Sequence, residues 1–461
     1  MNAVMTTTHT AEEITPRIVA QYIRRHQSEL ERLTRLYNYY IGDQAILERA
    51  KSDKLSNNRL VCNYCQYISD IASAYLLGAP VSYTADHDIL PIIDILNAAD
   101  AQTQDVDLAL DSSIFGRCYE MVYMSSDEKP VPKFARVSPL NSFVVYDDTV
   151  EQKPVFGVHY YPIFDDFGTL IGYKGVYSTA AFITDIELTT GLEVKTSGEP
   201  IEHYFGSVTI DEIYNNGQRR GDFESVMSLN DAYNILQSDR VNDKEQFVEA
   251  LLVIKGQVLG DTDEESYDTY KALKEHGVMT LDAGSDAAYL TRQFDENSVE
   301  VLKTSIENDI HKFSCVPDMS DENFAGNVSG VAMRYKLFAL EQKTRIKERY
   351  FAEGMRYRLA WIQKYLETTG KGSIPIDDIS INFTRPLPTN IMEEAQAAAQ
   401  LDGLVSKETL LGTLSIVKDP AAEVEALEKE QEEKSEKMLK NQQALIRTDM
   451  RTPIINGNGN G

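Results

Sequence analysis

Two long helical patterns, Asp222–Phe247 and Ser298–Phe313, bracket a short stretch that reads as a compact α/β unit. In the first pattern Phe223, Val226, Leu229, Tyr233 and Leu236 form a stripe. In the second, Val299, Leu302, Ile306, Ile310 and Phe313 recur at steps of 3, 4, 4 and 3, the spacing of one helix face. The stretch between them predicts a strand over Leu251–Ile254, a helix near Glu264–Lys274, and strands over Val278–Leu281 and Ala288–Gln293. Such an arrangement is a stalk with a knob. A further helical pattern runs from Gly330 to about Leu366, with Gly354 inside it as a predicted kink or break. Helices this extended cannot bury their apolar stripes within one compact subunit, so neighbouring copies are expected to cover them.

The rest of the chain is mixed. A first helix is expected from Thr15-Pro16, with Ile14, Ile18, Tyr22, Leu30, Leu33 and Tyr37 largely on one face and a stop at Gly42. A second runs near Asn63–Leu77 and ends at Gly78 and Pro80, followed by a strand at Val81–Thr84. Residues 114–215 alternate as strands, among them Tyr119–Met124, Phe143–Tyr146, Val155–Tyr161 and Gly172–Tyr177, with a turn at Asp166–Gly168. After a strand at Ile379–Thr384 the tail is helical and rich in Ala, Glu and Lys, and Asn456–Gly461 is low-complexity. The fold class is α+β.

Charge narrows the function. With 45 Lys and Arg against 72 Asp and Glu, the net charge is −27. A protein that grips nucleic-acid phosphates carries a basic surface, so this chain repels DNA on average, which argues against a conventional DNA binder but not against a conduit in which DNA slides without sticking. No apolar run approaches a membrane span and the opening residues lack a secretory signal, so no membrane association is expected. Cys62, Cys65, Cys118 and Cys315 read as reduced thiols. Cys62-Asn63-Tyr64-Cys65 lacks a second ligand pair, and Gly370-Lys371 lacks the earlier glycine of a phosphate loop and ends a helix. The pairs Asp105/Asp107 and Asp147/Asp148 are the candidate metal ligands for a nuclease reading, weighed against acidic surface pairs common in so acidic a chain. Arg334, Lys336, Lys343, Arg345, Lys347 and Arg349 make one helix basic. A solvated or intersubunit salt-bridged face is expected, with a positive lining near DNA as the other reading. No catalytic residue, metal or cofactor is assigned.

Four stretches resemble the portal proteins of tailed double-stranded DNA bacteriophages, of the siphophage type. The first comprises Tyr39-Tyr40-Ile41-Gly42-Asp43, Asn57–Val61 and Tyr75–Val81. The others are Ser138–Asp147, Val316–Gly330 running into Ala332–Glu341, and Leu404–Leu410. The resemblance implies a wing over 1–220 completed by a strand in 369–390, and stem helices over 221–247 and 296–315. It also implies a clip over 248–295, a tunnel loop over 316–329, the long helix over 330–368 and a helical crown over 391–461. The tunnel loop would bring Asp318, Met319, Ser320, Asp321, Glu322, Asn323 and Phe324 to the DNA channel. The clip would meet partners through Asp261, Asp263, Glu264 and Glu265. The implied assembly is a homo-oligomeric ring, dodecameric in the virion, at one capsid vertex after assembly in the host cytoplasm. Its implied partners are the terminase large subunit, a head-completion adaptor, major capsid and scaffolding proteins, and double-stranded DNA passing without sequence specificity. The competing expectations are a metal-dependent DNA-processing enzyme and another neck or tail component.

Overall fold

The structure is a computed structural model that describes residues 4–51, 56–248, 251–255, 262–276, 284, 286–290, 296–319, 334–385, 391–414, 416–417, 420–421, 423–424, 426–431 and 434–435. It divides into two compact units: Met1–Met319 with Lys336–Pro386, and Ser320–Tyr335 with Leu387–Gly461.

The first unit holds the sheets. The predicted first helix is two, α1 (Pro16–Gln27) and α2 (Leu30–Ile41). Ser28 and Glu29 stay near helical dihedrals, but their amides bond three residues back, to Arg25 and His26, which tightens the backbone between the two. Pro16 starts α1 as expected, whereas Thr15 makes no side-chain cap. Gly42 ends α2 at φ 91°, a left-handed conformation that glycine adopts without strain. Val19, Ala20 and Ile23 of α1 pack on Phe143, Val145, Phe156, Val158 and Ile186 of the large sheet. That sheet runs in the order β1 (Thr6–Thr7), β5 (Ser142–Asp147), β6 (Pro154–Phe164), β7 (Leu170–Ser178), β8 (Phe182–Leu188) and β10 (Ile201–Glu202). A further strand, β9 (Val194–Ser197), also pairs with β8.

His26 sits in this core with no solvent exposure. Its Nε2 is 3.0 Å from the Pro139 carbonyl and its Nδ1 is 2.9 Å from the Tyr160 hydroxyl. A carbonyl only accepts, so Nε2 carries the proton and Nδ1 accepts from Tyr160. Burial and the nearby Arg117 cation hold the His26 pKa down to about 3.

The second layer joins β11 (Ile210–Tyr214), β3 (Arg117–Met124) and β4 (Pro132–Val137) to α3 (Tyr64–Leu77), α4 (Leu90–Ala98) and α5 (Ala101–Phe115). Asn63 caps α3 by accepting the Gln66 amide. The long helix, α9 (Phe338–Thr368), crosses this layer, and its Phe351, Met355, Leu359, Trp361, Ile362 and Leu366 are buried within the same subunit. The expectation that this whole helix needs a neighbour is therefore corrected for its C-terminal half. Of the kink or break predicted near Gly354, a break is absent: the helix is continuous through it, and the interruption falls earlier, at Leu337. A side chain at 354 would meet Ile213, its Cβ 2.6 Å from Ile213 Cδ1, so the glycine serves close packing. Deeper in the layer, Arg358 donates from Nε to Glu120 Oε2 at 2.8 Å and from Nη2 to Glu120 Oε1 at 2.7 Å and Asp105 Oδ1 at 2.5 Å. Thr369 to Lys371 close the helix, with Gly370 at φ 71°. The strand predicted near Ile379 is Ser380–Asn382, paired antiparallel with Ser82–Thr84.

Helices α6 (Met227–Val248) and α8 (Glu296–Ser314) match the two predicted long helices and are bridged by Arg240–Glu300 at 3.1 Å and Lys244–Glu296 at 3.3 Å. Between them lie α7 (Asp263–His276) and the antiparallel pair β12 (Leu251–Lys255) and β13 (Asp286–Leu290). The strand predicted at Val278–Leu281 lies outside the described residues. In the second unit Ile391–Leu401 and Lys407–Leu411 are helical, the latter capped by Ser406 accepting the Thr409 amide.

Candidate functional site

Of the expected apolar row, Phe223 and Val226 are buried in the turn before α6 and Tyr233 is buried on it; beside it the helix carries a polar stripe. Asn230, Asn234, Ser238 and Asn242 stand four residues apart and are buried. They accept the backbone amides of Tyr64 (3.2 Å), Cys62 (2.7 Å), Leu60 (2.9 Å) and Asn58 (2.7 Å). Four helical residues rise about 6 Å and two extended residues about 6.6 Å, so a helix face and an extended chain run in step. Gln44 ties the end of this ladder, accepting from Asn230 at 2.5 Å and Asn234 at 2.6 Å. The ladder fixes residues 58–64 along α6 and so positions α3, whose first turns carry Tyr64 and Tyr67.

Those two tyrosines reach the end of α8. The Tyr64 hydroxyl donates to Glu307 Oε1 at 2.8 Å. The Tyr67 hydroxyl donates to the Pro317 carbonyl at 2.9 Å and accepts the Met319 amide at 2.8 Å. His311 Nδ1 is 2.9 Å from the Val316 carbonyl. The chain leaving α8 is thus held at Val316, Pro317 and Met319. Of the predicted channel residues, Asp318 is half-buried and Met319 exposed here; Ser320, Asp321, Glu322, Asn323 and Phe324 lie outside the described residues. The tyrosine contacts join residues about 250 positions apart (|i−j| 250 and 252), and nothing local in the sequence marks them.

Apolar side chains remain uncovered on α8 and on the first half of α9. Leu302 is 51% exposed and Phe313 56%, and both lie with half-buried Ile306 along one α8 face. Phe338 and Ile346 of α9 are 59% and 53% exposed. The basic residues of α9 are mostly engaged. Lys347 is buried against Asp222, Lys343 reaches Asp222 at 3.1 Å, and Arg345 donates to Glu341 at 2.8 Å. Despite its burial, Asp222 is held well below the usual carboxylate range by Lys347 and Lys343. Arg345, Arg349 and Arg356 line an open cleft of ≈ 600 Å³ with Glu341, Glu348, Ile381, Phe383 and Arg385, and of the three arginines only Arg356 was outside the basic set read in sequence. Their helical spacing around Ala352 was the available signal for adding it.

Asp263, Glu264 and Glu265 are exposed in the first turn of α7, where carboxylates also complement the helix dipole; Asp261 lies outside the described residues. The nuclease pairs do not form a site. Asp105 is buried against Arg358 while Asp107 is not buried, and Asp147 accepts from Thr149 and Lys153 to close a turn. Cys65 is a buried core thiol and Cys62 a half-buried one.

These parts make a subunit of layered sheets and long helices in which the segment following α8 is tied back to α3. The sequence model of the phage portal proteins, SPP1 Gp6-like, matches residues 19–437, and the chain belongs to that family. It is 24% identical over 436 residues to the portal protein of Bacillus phage SPP1, covering 89% of this chain and 82% of the relative. The portal protein of Clostridium phage phiCD119 is 22% identical over 418 residues, covering 86% and 90%. Among solved structures, the neck of the native GTA particle computed with C12 symmetry matches at TM-score 0.44 and 13% identity, covering 76% of this chain and 89% of that one. The neck of the empty GTA particle, computed with C6 symmetry, matches at TM-score 0.43 and 15% identity, covering 75% and 86%. The protein is a structural component of the virion, the portal of a phage capsid, and not an enzyme.

Proposed function

We propose that twelve copies close into a ring at one capsid vertex, through which double-stranded DNA enters and leaves without sequence-specific contacts. The observation that carries this reading is the uncovered apolar face of Leu302, Ile306 and Phe313 on α8, with Phe338 and Ile346 on α9. Exposed apolar rows on long helices are interface material, and a closed cyclic ring covers them on every subunit. In this reading α6 and α8 are the stem, and α7 with β12 and β13 is the clip. The acidic turn at Asp263–Glu265 lies in that clip, which meets the terminase large subunit and then the head-completion adaptor. Major capsid and scaffolding proteins surround the ring during assembly in the host cytoplasm. In the same reading 316–329 is the tunnel loop and 391–461 the crown. Negative-stain imaging and mass photometry of the purified chain test the ring directly. Closed rings with a central hole are expected. A monomer that gives no ring, alone or in procapsids, overturns the reading.

A further inference from the structure

Glu307 and His311 are four residues apart on α8, so their side chains share one helix face. Asp318 returns to the same place from the segment beyond the helix. One ligand atom from each, two carboxylate oxygens and an imidazole nitrogen, lie within 4.8 Å of one another, and all three residues are half-buried. Groups outside the set hold it there. The Val316 carbonyl fixes the proton on His311 Nδ1, which leaves Nε2 as the basic nitrogen. The Tyr64 hydroxyl occupies Glu307 Oε1 and leaves Oε2. The Tyr67 hydroxyl binds the backbone on either side of Asp318, at Pro317 and Met319. The rings of Tyr64 and Tyr67 stand edge-on to His311 at 5.7 and 5.9 Å and wall the imidazole in.

We propose that Glu307, His311 and Asp318 bind one divalent transition-metal cation, of the zinc or manganese class, that clamps the base of the 316–319 segment to α8. Two carboxylates and a neutral imidazole balance a doubly charged ion. An imidazole ligand favours these metals over calcium and magnesium, which take oxygen shells. Metal–ligand bonds of about 2.0–2.2 Å place ligand atoms up to about 4 Å apart across an ion. Closing from 4.8 Å therefore needs only small side-chain rotations. Water completes the coordination. All three ligands come from one subunit, so the site does not depend on ring formation, and neither reading falls with the other.

The test is titration of the EDTA-stripped full-length protein with Zn²⁺ by calorimetry and with Mn²⁺ by electron paramagnetic resonance. One saturable cation per chain is expected. His311→Gln and Asp318→Asn should each weaken it by more than about tenfold. His87→Gln, at a histidine bonded to the Pro375 carbonyl elsewhere in the fold, should leave it unchanged. Asp318→Asn, outside any helix, decides the matter if His311→Gln misfolds. No saturable binding, undiminished binding in Asp318→Asn, or tighter binding of Ca²⁺ than of Zn²⁺ each overturns the proposal.

Discussion

Asn234 accepts the backbone amide of Cys62 at 2.7 Å from a buried position on α6. Its amide nitrogen donates to Gln44 Oε1 at 2.6 Å, so one side chain joins a helix, the irregular segment before α3 and a loop. Replacing it with Ala leaves the Cys62 amide without this partner, at a cost of about 1–3 kcal/mol, whereas Gln44 Oε1 still accepts from Asn230. Chemical denaturation should show that loss. A Gln44→Ala, Asn234→Ala pair should cost less than the sum of the singles, because both singles remove the one Asn234–Gln44 bond and Gln44→Ala also strands the Asn234 amide nitrogen. Additive singles would show that the ladder is not a coupled network.

How much of this was legible in the sequence depends on how far apart the partners are. Strands such as Arg117–Met124 and Ser142–Asp147 announced themselves through local composition, and Gly42 through the conformation a helix end requires. The split of α1 from α2 was hidden because Leu30 and Leu33 continue the apolar face of the first helix in phase. Asn230, Asn234, Ser238 and Asn242 have clear helical spacing, yet a polar stripe reads as solvent-facing until the amides of residues 58–64 are known to lie against it. Arg358 is likewise an ordinary surface cation in sequence. Its acid partners are 238 and 253 residues away. At the candidate site, Asp318 was singled out as a loop residue, but its neighbours Glu307 and His311 were not, since only the return of the chain past Tyr67 brings them together.

Gly354 offers a second test. Gly→Ala in a helix normally gains up to about 1 kcal/mol of propensity. Here the new methyl enters the space of Ile213, and overpacking costs about 1–3 kcal/mol. Gly354→Ala is therefore expected to lower the melting temperature, and adding Ile213→Val should restore part of it. A higher melting temperature for Gly354→Ala alone would falsify close packing as the reason for the glycine.

His26 predicts a pH dependence. Its folded pKa of about 3 lies below the ordinary 6.5, so between these values the unfolded chain binds a proton that the native chain does not. Stability from this group is fully present above 6.5 and falls as pH drops, by up to roughly 1.4 kcal/mol per pH unit. His159 and His203 are also lowered by burial and act in the same direction. Unfolding followed between about pH 5 and 7 should show a shallower slope in His26→Gln than in the wild type. Parallel slopes would mean that His26 does not stay neutral.

The α8 face gives the sharpest separation between subunit and assembly. Leu302 and Phe313 are eleven residues apart, which returns them to one side of the helix, and both are more than half exposed in the subunit. Their replacement by Lys removes apolar surface that the single chain does not bury, so the fold should lose within about 0.5 kcal/mol, as for ordinary surface substitutions. A ring that covers this face would instead have to bury two ammonium groups per subunit, each repeated around the circle. That cost is paid only in the assembled state. The Leu302→Lys, Phe313→Lys double variant should therefore give wild-type circular dichroism and wild-type unfolding at concentrations where both proteins are monomeric. By mass photometry its ring population should collapse at concentrations where the wild type assembles. Raising the salt should rescue little, because the loss is of apolar contact and desolvation rather than of screened surface charge. If the double variant forms rings as well as the wild type, this face points to solvent in the assembly, and the interface must be sought on the exposed start of α9, at Phe338 and Ile346.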